Sequence, residues 1–98
     1  SYESMDDFDD DEWAEMQEMY INFTFKELKN LKKGSRIENM EALQTFGHNI
    51  KGSGGMYGFD EITRLGAEIE SLAKESELDG IVKSLQNLET FLNSKIEP

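Results

Sequence analysis

The chain contains a single histidine, His48, and no cysteine. Histidine is the side chain that most readily acts as a nucleophile, a proton carrier or a metal ligand near neutral pH. A lone histidine is, however, more commonly an ordinary surface residue or a hydrogen-bonded core residue. Its position on its own element therefore decides how it is interpreted.

The residues around His48 follow a helical pattern, and each residue of a helix turns by about 100°. The apolar side chains fall at roughly 140 to 220° from His48, at Leu43, Phe46, Ile50 and Tyr57. His48 is therefore predicted to point away from the core and to be more than half exposed. Its own side of the helix carries Glu41, Gln44, Lys51, Gly52 and Gly55. The glycines leave the surface beside the ring bare, which favours the close approach of a partner, unless they serve only to end the helix.

Other kinds of site are excluded by order and composition. The Lys51-Gly52-Ser53 order differs from the Gly-Lys-Ser of a phosphate-binding loop, and no strand precedes it. One histidine without cysteine makes no convincing structural zinc site. The net charge of −11 disfavours nucleic acid and anionic membrane surfaces as partners. A protein partner with complementary charge fits this acidic surface better. No apolar run is long enough to span a membrane, and we expect a cytoplasmic protein. We also expect a monomer.

The N-terminal residues 1–12 are polar and acidic, and they form either an acidic extension or the start of the first helix. A calcium loop is excluded because the run lacks the central Gly that an EF-hand loop requires. Apolar residues then recur at helical spacing, at Trp13, Met16, Tyr20, Phe23, Leu28 and Leu31. Lys32, Lys33 and Gly34 predict the end of this helix.

The second helix is predicted to begin at about Arg36, because residues 35–38 have the S-x-x-E order of a capping box. Helix propensity alone would end this helix near Gly52, where the glycines begin.

Two further helices follow, with Asp60 and Asp79 as the predicted N-caps. The third helix fades near Ser76. Their apolar faces are formed by Ile62, Leu65, Ile69 and Leu72, and by Val82, Leu85, Leu88, Leu92 and Ile96. No alternation typical of strands is evident. We therefore predict an all-α fold, an antiparallel up-down-up-down four-helix bundle over residues 13–98.

The segment 48–59, HNIKGSGGMYGF, resembles the signature of histidine phosphotransfer (HPt) domains, H-x-[LI]-K-G-[SGA]-x-x-x-x-G-[LF], at every fixed position. The chain is also similar to the phosphotransfer domain of chemotaxis histidine kinases. The resemblance implies that the second helix continues through the glycines to about Tyr57. It also implies a phosphoryl carrier without autonomous catalysis, with a sensor histidine kinase and a response-regulator receiver domain as partners. Any Mg²⁺ would then be supplied by the receiver, and the chain itself would need no cofactor.

The resemblance assigns roles residue by residue. His48 matches the histidine that is phosphorylated on Nε2, and Glu70 matches the residue that bonds its Nδ1. Lys51 and Lys74 match basic residues that face the phosphoryl group. Gly52 matches the small residue that lets a receiver domain approach, and we expect Gln44, Gly55 and Thr45 to belong to the same docking surface.

Two interpretations remain beside this one. The chain could be a helical interaction module that has lost phosphotransfer, although the intact His48 and Lys51 argue against this. It could also be a metal-dependent or acid–base enzyme that uses Glu70 with His48, although so small a bundle offers no deep cleft. Without the resemblance, Glu70 and Lys74 would be read as an ordinary i, i+4 ion pair on a solvated helix.

Overall fold

The structure of the protein is a computed structural model that describes residues 9–33 and 38–96. Four α-helices make up most of these residues: α1 (Asp10–Leu31), α2 (Met40–Gly54), α3 (Asp60–Lys74) and α4 (Leu78–Lys95). One 3₁₀ turn, Gly55–Tyr57, extends α2, and no strand occurs in either described range. The predicted all-α four-helix fold is therefore confirmed.

The helices surround one core, in which α1 and α3 both contact α2 and α4. The most extensive contact joins α2 to α3. Positions that advance along α2, from Gly47 to Gly54, face positions that run backwards along α3, from Glu70 to Thr63. These two helices are therefore antiparallel, while the up-down-up-down order of the whole bundle stays a prediction.

The core is aliphatic and receives side chains from all four helices. Its fully buried members include Leu28, Leu43, Ile62, Leu65, Ile69, Ile81, Leu85, Leu88 and Leu92. Two residues assigned to apolar faces from their spacing lie outside it, because 60% of Phe23 and 39% of Ile96 are exposed. On α1 the buried positions next to Phe23 are Ile21, Thr24 and Phe25, so the buried stripe lies to one side of the predicted one.

Of the acidic residues before Trp13, those at positions 9–12 form the N-cap and first turn of α1, and residues 1–8 of the predicted acidic segment lie outside the described residues. Asp9 is the N-cap, and its side chain accepts a hydrogen bond from the Glu12 amide at 2.7 Å. The Glu12 side chain accepts one from the Asp9 amide at 3.3 Å, which completes a capping box. The carboxylates of residues 10–12 stand at the positive end of the helix dipole. Helix α1 ends at Leu31, close to its predicted end, and Gly34 lies outside the described residues.

Helix α2 starts later than predicted, at Met40, because Asn39 is its N-cap and accepts a hydrogen bond from the Ala42 amide at 3.0 Å. The predicted capping box falls largely on residues 34–37, which lie outside the described residues. The stop predicted at Gly52 is also wrong, since α2 continues to Gly54 and the 3₁₀ turn to Tyr57. This extension was expected from the HPt resemblance. Gly58 ends it with a φ of 85°, a left-handed conformation that favours glycine.

The predicted caps of α3 and α4 are wrong by one or two positions. The N-caps are Phe59 and Glu77, and neither makes a side-chain capping bond. Asp60 and Asp79 lie inside the first turns, where their charges favour the helix dipole without closing a cap.

Candidate functional site

The imidazole of His48 projects from the middle of α2, and 65% of its side chain is exposed. This exposure agrees with the helical spacing, which placed the ring opposite the buried Leu43, Phe46 and Ile50. The ring is therefore accessible to a second protein.

Glu70 of α3 lies beside the ring and is largely buried, with 11% of its side chain exposed. Its Oε2 is 3.0 Å from Nδ1 of His48, and its Oε1 is 2.6 Å from Nζ of Lys51. A buried carboxylate is costly unless hydrogen bonds and opposite charges compensate it, and both oxygens have such a partner here. One carboxylate thus joins His48 and Lys51 across the α2–α3 contact.

The ionisation of Glu70 follows from these neighbours. The hydrogen bond from Lys51 is the main cause that lowers the pKa of Glu70, and burial opposes it. The hydrogen bond with His48 and the charges of Lys51 and Lys74 lower this pKa further. Glu70 is therefore a carboxylate at neutral pH, and a carboxylate can only accept hydrogen bonds.

The tautomer of His48 follows in turn. Because Glu70 can only accept, Nδ1 of His48 must carry the proton of their shared hydrogen bond. In the neutral ring this leaves Nε2 with its lone pair on the exposed edge. The arrangement can therefore present a nucleophilic nitrogen whose opposite nitrogen is held by a negative charge.

The other residues assigned from the resemblance are arranged less closely. Lys74 is exposed on α3, one turn beyond Glu70, and influences that carboxylate through its charge. In the described ranges no hydrogen bond or ion pair links Lys74 to His48. The structure thus brings His48, Lys51 and Glu70 into direct contact and leaves Lys74 at the edge.

The four residues assigned to docking differ in their surroundings. At Gly52 an added Cβ would meet no atom within 4 Å, so this position beside His48 is open. Thr45 is exposed, and Gln44 is half-buried. Gly55 is fixed to the neighbouring helix, because its amide donates a hydrogen bond to Oγ1 of Thr63 at 2.8 Å.

Two hydroxyl contacts near His48 were not predicted from the sequence. Thr63 also donates to the carbonyl of Lys51 at 3.0 Å, which ties the end of α2 to α3. Ser53 donates to the carbonyl of Asn49 at 3.0 Å and lies 2.7 Å from the hydroxyl of Tyr20 on α1. Because the single proton of the Ser53 hydroxyl goes to the Asn49 carbonyl, the Tyr20 hydroxyl is the donor in this second contact. Burial raises the pKa of Tyr20, which keeps this hydroxyl protonated. Only the small polar type of Ser53 and Thr63 could have indicated these contacts.

The described residues contain no cluster of three or more His, Cys, Asp or Glu side chains that could hold a metal ion. None of the helices in the described ranges combines the length and apolar character needed to cross a membrane.

We expect the pKa of Glu70, followed by NMR titration of its side-chain carboxyl carbon, to lie below the ordinary value of about 4.3. Lys51→Met should raise this pKa, because the hydrogen bond from Lys51 is the main cause that lowers it. Lys83→Met, which removes an exposed lysine of α4, should leave it unchanged.

The same shift predicts a dependence of stability on pH. A carboxyl whose pKa is lower in the folded state stabilises that state above its unfolded pKa, and this contribution is lost as the pH falls through the folded pKa. The difference in unfolding free energy between the wild type and Glu70→Gln should therefore shrink as the pH falls below about 4. A difference that is constant across this range would contradict the ionised, bridged state of Glu70.

Comparison with known proteins gives one match. A model of the Hpt domain family matches residues 15–95, which is most of the chain and includes His48, Lys51 and Glu70. No match was found among curated proteins or among solved structures. The matched family is the one whose signature residues 48–59 resemble, and its members are helical phosphocarrier modules. The chain therefore belongs to the Hpt family, the histidine phosphotransfer domains of two-component phosphorelays.

Proposed function

We propose that this domain carries a phosphoryl group on Nε2 of His48 and exchanges it with an aspartate of a response-regulator receiver domain. The observation that carries the proposal is the position of Glu70, whose carboxylate bonds Nδ1 of His48 at 3.0 Å. That contact leaves the exposed Nε2 unprotonated, which is the form that can attack phosphorus.

The transfer needs no proton to leave the attacking nitrogen. The lone pair of Nε2 attacks the phosphorus of an aspartyl phosphate, and the P–N bond forms as the bond from phosphorus to the aspartate oxygen breaks. The electron pair of the broken bond leaves with the aspartate carboxylate. The ring then carries a positive charge while Nδ1 keeps its proton, and the negative charge of Glu70 stabilises this state. In the reverse direction the P–N bond breaks as the bond from phosphorus to the aspartate oxygen forms.

The lysines balance charge in a chain whose net charge is −11. Lys51 lies on the same helix as His48, one turn beyond it. In the unphosphorylated protein its ammonium group pairs with the Glu70 carboxylate at 2.6 Å. Its exposed ammonium group is flexible enough to share its charge with a phosphoryl group on the ring, and Lys74 adds a second positive charge nearby. Mg²⁺, which neutralises the transferring group, would enter with the acidic pocket of the receiver.

The receiver would dock on an exposed apolar surface beside the histidine. We call it the α1 apolar surface and define it by Met16, Met19, Phe23 and Tyr57, which line one shallow groove. Met19 is 64% and Phe23 is 60% exposed, which is unusual for two large apolar side chains on one helix face.

This surface extends to the residue next to the histidine. Phe23 and Tyr57 also line a groove with Asn49 and Ser53 of α2, and Asn49 is the residue after His48. On the other side of Asn49, the bare surface at Gly52 admits a partner close to the ring. A receiver that covers the α1 apolar surface would thus bring its aspartate to His48, and exclusion of water there would strengthen the charge interactions.

Purified protein incubated with Mg²⁺ and a phosphorylated receiver, or with a sensor kinase and ATP, should acquire one phosphoryl group. The bond should be labile in acid and persist in base, because nitrogen is the acceptor. His48→Gln should abolish labelling and keep the helical circular dichroism spectrum, since the ring lies outside the core. The protein with ATP alone should remain unlabelled. Label that persists in His48→Gln, or that survives acid, would falsify the proposal.

Phe23→Ala tests the docking surface. Because Phe23 is mostly exposed, we expect its truncation to change the free energy of unfolding by no more than about 0.5 kcal/mol. The same change should slow transfer from the receiver by on the order of tenfold, since truncating an apolar side chain that anchors an interface costs about 1 kcal/mol or more. Ile96→Ala removes an exposed apolar side chain beyond the end of α4 and is the matched control. Equal transfer rates in the two variants would place the docking surface elsewhere.

A further inference from the structure

Two glycines stand where α2 and α3 come into backbone contact. A Cβ added to Gly47 would lie 2.6 Å from the amide nitrogen of Glu70 and 2.8 Å from the carbonyl oxygen of Gly66. A Cβ added to Gly66 would lie 2.6 Å from the amide nitrogen of Lys51 and 2.8 Å from the carbonyl oxygen of Gly47. Non-bonded contacts of carbon are normally about 3.5 Å or longer. Since these neighbours are backbone atoms, a methyl group at either position would force the helices themselves to shift by nearly an ångström.

The contact coincides with the functional site. Gly47 immediately precedes His48 and stands one turn before Lys51, while Gly66 stands one turn before Glu70. The backbone atoms that an added Cβ would strike belong to Glu70 and Lys51 themselves. The separation of the helices at this point therefore sets the distances from the Glu70 carboxylate to Nδ1 and Nζ, now 3.0 and 2.6 Å.

We propose that Gly47 and Gly66 are positioning residues for phosphotransfer, which keep the Glu70 carboxylate within hydrogen-bond distance of His48. This proposal rests on the proposed function, because it concerns the same histidine. Both glycines lie inside helices, where alanine has the higher helical propensity, so the sequence forgoes local helix stability at each. In return, the backbones of α2 and α3 approach each other closely beside His48.

Gly54 provides a matched control for simple helix packing. It is a third glycine of the α2–α3 contact, and an added Cβ would lie 2.7 Å from the amide nitrogen of Thr63 and 2.9 Å from Cβ of Ile62. The clash is as severe as at Gly66, but it is nearly two turns further along α2 from His48. The added Cβ would also lie 2.9 Å from Oγ1 of Thr63, which donates to the carbonyl of Lys51. Gly54→Ala should therefore strain the same helix pair, whereas none of its three nearest contacts is an atom of Glu70.

The test compares Gly66→Ala with Gly54→Ala by two readouts. The first is the tautomer of His48, measured by ¹⁵N NMR of the ring nitrogens, and the second is the rate of phosphoryl transfer from the receiver. Gly66→Ala should lose the pure Nδ1–H tautomer and slow transfer by roughly 10- to 100-fold, because a misplacement of about 1 Å has effects of this size. Gly54→Ala should keep the tautomer and stay within about twofold of the wild-type rate. Equal effects of the two changes on both readouts would overturn the proposal.

A double variant separates positioning from general damage. If Gly66 acts through Glu70, then Gly66→Ala should cause no further loss of rate in a Glu70→Ala background. A loss of the same factor in both backgrounds would also overturn the proposal.

One variant leaves both glycines untouched and covers the case in which Gly66→Ala does not fold. Glu70→Asp withdraws the carboxylate by about 1.5 Å, the length of one carbon–carbon bond. It should lose both the tautomer and the rate, and an unchanged Glu70→Asp would show that ångström spacing does not matter here. The tautomer readout needs no transfer, so an unlabelled wild-type protein would refute the proposed function without deciding the role of the glycines.

Discussion

The arrangement of the site depends on one carboxylate that serves two partners. Glu70 accepts hydrogen bonds from Nδ1 of His48 and from Nζ of Lys51 while it is mostly buried. Its charge is tolerable there because Lys51 compensates it, and the charge in turn fixes which nitrogen of His48 is protonated. The histidine itself needs no pocket. It can remain exposed to a large protein partner because Glu70, on the next helix, determines which ring nitrogen is protonated.

The bundle provides this arrangement through its tightest helix pair. A glutamate on α3 reaches a histidine on α2 only if the two backbones are close, and the facing glycines at 47 and 66 permit that approach. The end of α2 is held by other means, through Thr63, which bonds the carbonyl of Lys51 and the amide of Gly55. The contacts that fix the ring thus lie on the side of α2 that faces α3, whereas the surface around the ring at Gly52 stays open.

The sequence predicted those features that follow from the geometry of a single helix. The exposure of His48 required only the angular spacing of Leu43, Phe46 and Ile50, and the structure agrees. The contact between His48 and Glu70 depends on how two helices are registered, so the spacing of residues could not reveal it, and only the HPt resemblance indicated it. Phe23 was misplaced because its spacing fits an apolar stripe, whereas the rotation of α1 in the bundle buries Thr24 instead. Asp60 and Asp79 were misplaced as caps because capping depends on backbone conformation at each helix start.

The nitrogen that carries the phosphoryl group is the most direct test of the role of Glu70. Protein labelled with ¹⁵N can be phosphorylated by its receiver or kinase, and the coupling between ³¹P and the ring nitrogens can be measured by NMR at basic pH, where phosphohistidine persists. Because Glu70 occupies Nδ1, the phosphoryl group should couple to Nε2 of His48, and Nδ1 should retain its proton. A phosphoryl group on Nδ1, or on any residue other than His48, would contradict the role of Glu70 in exposing Nε2.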